Sequence, residues 1–183
     1  QQIFENREAA ALPGLMESGG LPALVSGLSG IHRVNLAAAL YERLELPLLI
    51  VCPDDSSAES FSRDLEAMTG EKVNTLYSRD FTFYSSLAAS REAEQKRLYV
   101  LNALRCGESP LTVATVSALM QRTIPPQTLI KAAFTVKDGE ACPPEELERA
   151  LVRCGYTRCE QVEGAGQFSR RGGIVDFFSP SYP

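Results

Sequence analysis

Apolar residues in this chain form short continuous runs, separated by segments in which they recur every three or four positions. The runs are Leu21 to Val25, Pro47 to Cys52 (PLLIVC), Lys72 to Tyr77 and Leu111 to Val116 (LTVATV). Each is short, apolar or β-branched and bounded by Gly, Pro or polar residues, which predicts strands, PLLIVC as a parallel strand buried on both faces and LTVATV as a further buried one. The segments between them read as helices: about Val34 to Leu44, about Ser56 to Thr69 and Ser90 to Cys106. In the second, Ala58, Phe61, Leu65 and Met68 lie on one stripe, Asp54 to Ser57 supply a cap, and Gly70 is the stop. In the third, Leu98, Leu101 and Leu104 repeat at helical spacing before Gly107. A leading helix is expected over Ile3 to Met16, ending near Gly19-Gly20, and an aromatic patch (Phe81-Thr82-Phe83-Tyr84) follows the third run.

Strands alternating with helices imply βαβ units and right-handed crossovers, hence an α/β domain with a mostly parallel sheet in three layers. Pro125-Pro126 removes two donors and forces an extended path, so a domain boundary is expected there, giving domains 1–126 and 127–183. Beyond it, Leu129 to Val136 alternates like a strand, residues 137–140 (KDGE) read as a turn, and Pro143 to Cys154 as a helix with Pro144 and acids in its first turn. Tyr156 to Val162 and Gln167 to Phe178 are strand-like, which makes this second portion a small α+β domain. No internal repeat or low-complexity tract is visible. The missing initial Met, and the stop soon after a strand-like segment, lead us to expect an excised piece of a longer chain, its second domain incomplete.

Of the 183 residues, 44% are hydrophobic and 22% charged, an ordinary globular balance. No apolar run reaches the roughly 20 residues of a membrane helix, and no signal-peptide layout opens the chain, so a cytoplasmic protein without a membrane partner is expected. A net charge of −5 offers no general attraction to a phosphate backbone. Arg153, Arg158, Arg170 and Arg171 make a local basic cluster among acidic neighbours, of the kind that forms a solvated or protein-docking face. The five cysteines are odd in number, irregularly spaced and without a CxxC pair, so they predict reduced thiols and no metal site. His32 is the single histidine.

The loop Val25-Ser26-Gly27-Leu28-Ser29-Gly30-Ile31-His32-Arg33-Val34 stands between a strand-like run and a helix, the setting of a P-loop. A working loop closes backbone N–H groups around phosphate with a second glycine before its lysine, then adds a Ser or Thr hydroxyl for Mg²⁺. Here His32, Arg33 and Val34 stand in those places. The loop is degenerate: Gly27 and Gly30 keep its scaffold, and a helix N-terminus aided by Arg33 would hold an anion only weakly.

Gly155 to Glu163 (GYTRCEQVE), followed by Gly166 to Pro180 (GQFSRRGGIVDFFSP), closely resembles the second domain of the bacterial transcription-repair coupling factors (Mfd); UvrB, a nucleotide-excision relative, shares this segment. The resemblance extends upstream through Thr115 to Arg122 (TVSALMQR) and Pro125-Pro126 to the degenerate loop, so it covers nearly the whole chain. Two features favour the coupling factors over UvrB. UvrB has an intact P-loop, and it carries a long aromatic DNA-clamping hairpin, for which Asp80 to Ser90 leaves no room.

The resemblance implies a non-catalytic docking module that recruits UvrA, the damage-recognition subunit of excision repair. UvrB uses arginines of this segment to contact UvrA; Arg158 and Arg171 match two of those positions, while Ser169 stands where UvrB has a third. Arg170 is a substitute in charge, on the opposite face of its strand from its neighbours, and Phe178 is either core or contact. The residue-level alternative is that Arg158 and Arg171 are ordinary surface groups, or pair with Glu160 and Asp176 across neighbouring strands. The family further implies that RNA polymerase, DNA, ATP and Mg²⁺ are engaged by domains outside this chain, that this chain needs no cofactor, and that the UvrA surface is covered at rest. Two other classes stay open: a nucleotide-binding fragment, which would bind ATP with Mg²⁺, and a UvrB-like clamp, which would shift damaged DNA in a salt-dependent way.

Overall fold

A computed structural model describes residues 11–78 and 87–180, with the side chains of residues 87–92 left aside. The expected helix from Ile3 falls partly outside them; within them α1 spans Leu12–Glu17. The aromatic patch at Phe81 to Tyr84 lies outside the described residues. By its contacts the chain divides into two compact units, Gln1–Arg79 with Cys106–Gln121, and Asp80–Arg105 with Arg122–Pro183.

The first unit is the α/β one. Helix α2 (Gly30–Leu44) leads to β1 (Leu48–Cys52), α3 (Asp55–Thr69) and β2 (Val73–Leu76); β3 (Leu111–Thr115) and the short α5 (Val116–Met120) complete it. The sheet order is β1-β3-β2 and every pairing is parallel. Helix α3 starts where Asp54 accepts the Ser57 amide at 2.8 Å and stops at Gly70, whose φ of +71° suits a residue without a Cβ. That capping bond from the Ser57 amide, aided by the Ser57 hydroxyl, holds Asp54 below the usual aspartate range. Val34, Ala37 and Ala38 of α2 meet Ala58 and Leu65 of α3 over Leu111 and Val113 of the central strand. On the other face Asn74 donates to Ser109 at 2.9 Å, and Ser109 pairs with Thr112 at 2.8 Å, which satisfies buried polar groups.

Three expectations fail here. Residues 21–25 form no strand: Pro22 cannot donate to a ladder, and Leu24 is almost fully exposed with no neighbouring strand. Helix α2 begins at Gly30, so the second half of the glycine loop is already helical. Strand β1 is not buried on both faces, because Leu49 and Val51 are exposed while Leu48, Ile50 and Cys52 turn toward the core.

The second unit holds nearly all of α4 (Leu87–Cys106), then α6 (Pro126–Ala132), α7 (Pro144–Arg153) and a sheet of β4 (Thr157–Arg158), β5 (Gln167–Arg171) and β6 (Ile174–Phe177). The β4–β5 pairing is parallel and the β5–β6 pairing antiparallel. Leu147 and Leu151 of α7 pack on Phe168 of β5, all buried, with Tyr156 and Val175 at the margin. In α4, Arg97, Val100 and Ala103 are the buried positions, while Leu104 is exposed. Pro125-Pro126 does not force an extended path beyond it: Pro126 occupies the first turn of α6, where its missing N–H is needless. Leu129 to Val136 is not a strand; α6 takes its first part and residues 133–136 have no regular structure. Apolar alternation over a few residues fits one helical turn as well as a strand, and Ala, Leu and Lys favour the helix.

Candidate docking face

Register decides what each arginine sees. Arg158 of β4 stands beside Phe168, so both side chains lie on the face that α7 covers; Arg170, two residues along β5, shares that face. Arg171 pairs with Ile174 and Ser169 with Asp176, on the opposite face. Between the strands only Gly172 and Gly173 remain, and Gly172 has φ +62°, as a two-residue hairpin with glycine at its first position requires.

On the α7 face Glu148 holds two cations at once. Its Oε1 accepts from Arg158 Nη1 at 3.0 Å and its Oε2 from Arg170 Nη1 at 3.1 Å. Arg170 also donates from Nη2 to Glu145 and from Nε to the Gly172 carbonyl. Its three donating nitrogens are thus engaged, and at 25% exposure it ties β5 to α7. Glu145 is held below the usual glutamate range by its own backbone amide first and by Arg170 next. The same carboxylates, Glu148 foremost, bind the Arg170 proton more firmly. Arg158 differs: among the described residues it bonds Glu148 alone, through Nη1, and its side chain is 61% exposed.

On the opposite face Arg171 Nη2 bonds Asp176 Oδ2 at 2.7 Å and stays 74% exposed. The Arg171–Asp176 pair of the surface-group alternative is therefore present, whereas Arg158 pairs with Glu148 of α7 in place of Glu160. Ile174 and Phe178 are exposed as well, and the Phe178 amide donates to Gln167 while its carbonyl accepts from Gly166. Ser169 is buried and donates to the Glu160 carbonyl at 2.9 Å. Gln167 Oε1 accepts from the amides of Glu163 and Gly164 at 2.8 and 3.0 Å, folding the loop between β4 and β5. Sequence reasoning missed Glu145, Glu148 and Gln167. The spacing of Glu145 and Glu148, one helical turn apart on an amphipathic helix, was the available signal for the acids.

At the glycine loop in the first unit, Gly27 has φ +80° and Gly30 opens α2. Ser29 Oγ and His32 Nδ1 lie 2.9 Å apart, Arg33 Nε donates back to the Leu28 carbonyl at 3.1 Å, and Val34 is buried in the core. A cleft of about 840 Å³ runs between this loop, β1 and α3, lined by Gly27, Arg33, Leu49, Val51 and Ser57 among others. Ser29, His32 and Arg33 bond within the loop, and Val34 brings no oxygen toward a metal. Among the described residues no cluster of three His, Cys, Asp or Glu side chains is placed to hold a metal ion.

Residues 134–182 match the UvrB interaction domain, a span that includes all three arginines, α7 and the whole second sheet. The transcription-repair-coupling factor of Bacillus subtilis is 33% identical over 178 residues, 96% of this chain. That of Myxococcus xanthus is 32% identical over 164 residues, 85% of this chain, and that of Escherichia coli 26% identical over 159 residues, 87% of it. The chain is similar to a segment of the transcription-repair-coupling factors. It spans only 14–15% of the length of these relatives. Within this coupling-factor-like segment the α/β unit carries the Gly27–Val34 loop, and the UvrB interaction domain carries the paired arginines.

Proposed function

We propose that this chain is a non-catalytic docking module that recruits UvrA in transcription-coupled nucleotide excision repair, working in the cytoplasm as part of a longer coupling factor. The observation that carries this reading is the coincidence of the UvrB interaction domain with a sheet whose two faces carry the exposed guanidinium groups of Arg158 and Arg171. Arg158 and Arg171 are assigned to carboxylates of UvrA, since each keeps donors free beside a single internal bond and a guanidinium fork matches a carboxylate. Phe178 is assigned to the same contact as its apolar neighbour on the Arg171 face. Arg170 is given an architectural share, because its donors are already spent on α7 and the turn. RNA polymerase, DNA, ATP and Mg²⁺ are assigned to other domains of the longer protein.

Retention of the chain on immobilised UvrA tests the reading; a chain that washes through at micromolar concentration refutes it. For the degenerate loop we infer a scaffold without ATPase activity, supported by Val34 in the core and Arg33 folded onto Leu28. Millimolar ATP with Mg²⁺ is expected to leave the melting temperature unchanged, because a ligand that binds the native state would raise it. A clear upward shift would return the nucleotide-binding reading.

A further inference from the structure

We infer that Glu148 is a positioning residue for partner binding: it holds the guanidinium of Arg158 in a fixed orientation, with its remaining donors open to a carboxylate of the partner. This rests on the docking reading above.

The geometry distinguishes Glu148 from an ordinary surface ion pair. An isolated exposed pair gains little, because two long side chains must be immobilised for one weak contact. Here the second side chain is already fixed. Glu148 is only 22% exposed, stands on α7 beside buried Leu147, and has its Oε2 bound by Arg170. Arg170 is held in turn by Glu145 and the Gly172 carbonyl. The entropy of ordering Glu148 is therefore lost to the Arg170 bond, and Oε1 meets Arg158 with only the arginine left to order. The bond uses Nη1 of Arg158 alone, which leaves Nη2 and Nε open, among the described residues, on a side chain that is 61% exposed. A planar fork with one nitrogen anchored and an open edge is ordered before the partner arrives. The ordering cost of a long side chain on binding is then smaller.

The counter-effect is that a carboxylate at 3.0 Å attenuates the charge an acidic partner meets. At an exposed site this attenuation is screened by water, whereas the side-chain entropy is not, so positioning is expected to win.

The test is a double-mutant cycle on the 183-residue chain with purified UvrA, comparing wild type, Glu148→Ala, Arg158→Ala and the double variant. Glu148→Ala is expected to weaken binding roughly three- to tenfold in the wild-type background and to have no effect once Arg158 is gone. Equal weakening in both backgrounds would reduce Glu148 to a packing role, and tighter binding would make it a competitor; either overturns the inference while docking stands. Glu148→Gln, which keeps an acceptor oxygen and the shape, is expected to recover part of the loss and covers the case in which the Ala variant does not fold. A readout without UvrA separates the two claims: the Arg158 Nε–Hε group should be ordered by ¹⁵N relaxation in the wild type and mobile in Glu148→Ala. A mobile Arg158 in the wild-type chain overturns positioning whatever UvrA does. Absence of wild-type binding overturns the docking reading and, with it, the role assigned to Glu148.

Discussion

Ser169 donates its hydroxyl proton to the Glu160 carbonyl from a buried site, between buried Phe168 and Arg170 on β5. An arginine introduced here would put an unpaired charge where a small hydroxyl is enclosed, and the loop after β4 would lose a fastening. Ser169→Arg should therefore cost about 3 kcal/mol or more without adding a partner contact, read as the change in the chemical-denaturation midpoint. An unchanged midpoint would mean that the loop opens freely. Asp54 offers a second residue-level test. Its carboxylate is held below the ordinary aspartate value by the Ser57 amide, so its contribution is full above that ordinary value and is lost as pH falls through the depressed one. Asp54→Ala should lower the melting temperature at pH 7, and the gap to wild type should narrow below about pH 4. A gap that does not change with pH would exclude the charged cap.

At the scale of elements, the β5–β6 hairpin sets Arg170 and Arg171 on opposite faces, and its turn depends on Gly172 at φ +62°. Nothing crowds a Cβ there, so Gly172→Ala tests backbone conformation alone. The expected loss is about 1–2 kcal/mol, with faster amide exchange at Ile174; an unaffected hairpin would contradict the turn assignment. Strands β2 and β3 and helices α3 and α7 were legible because their hydrophobic period agrees with a cap, a glycine stop or a proline start. The Leu21 to Val25 run has that apolar character but no strand beside it, and pairing is a property of the partner as much as of the run. Likewise the Arg171–Asp176 pair follows from the hairpin register, which the Gly172-Gly173 turn betrays. The Arg158–Glu148–Arg170 cluster requires knowing that α7 lies across the sheet, and no local pattern carries that. The open face of β1 has the same origin: PLLIVC reads as buried on both sides, but covering a strand is done by elements distant in sequence.

For the molecule as a whole, each unit has its own core, and their sequence signals differ in kind. The α/β unit sets the glycine loop at the start of α2 with no strand leading into it among the described residues, and Ser29, His32 and Arg33 bond back on that loop. The other unit matches a named interaction domain and balances Arg158, Arg170 and Arg171 against Glu145, Glu148 and Asp176. Among the described residues no helix is long and apolar enough to cross a membrane. A charge-balanced face favours a partner that supplies well-placed carboxylates over one that offers only a diffuse negative field, which argues for protein docking above nucleic acid. Titration calorimetry of the 183-residue chain into purified UvrA tests this most directly. The account predicts saturable binding that weakens roughly tenfold or more when Arg158 and Arg171 are both replaced by Ala, with the fold intact by circular dichroism. Wild-type binding that survives the double substitution would contradict the arginine assignment, and the absence of any binding would contradict the module itself.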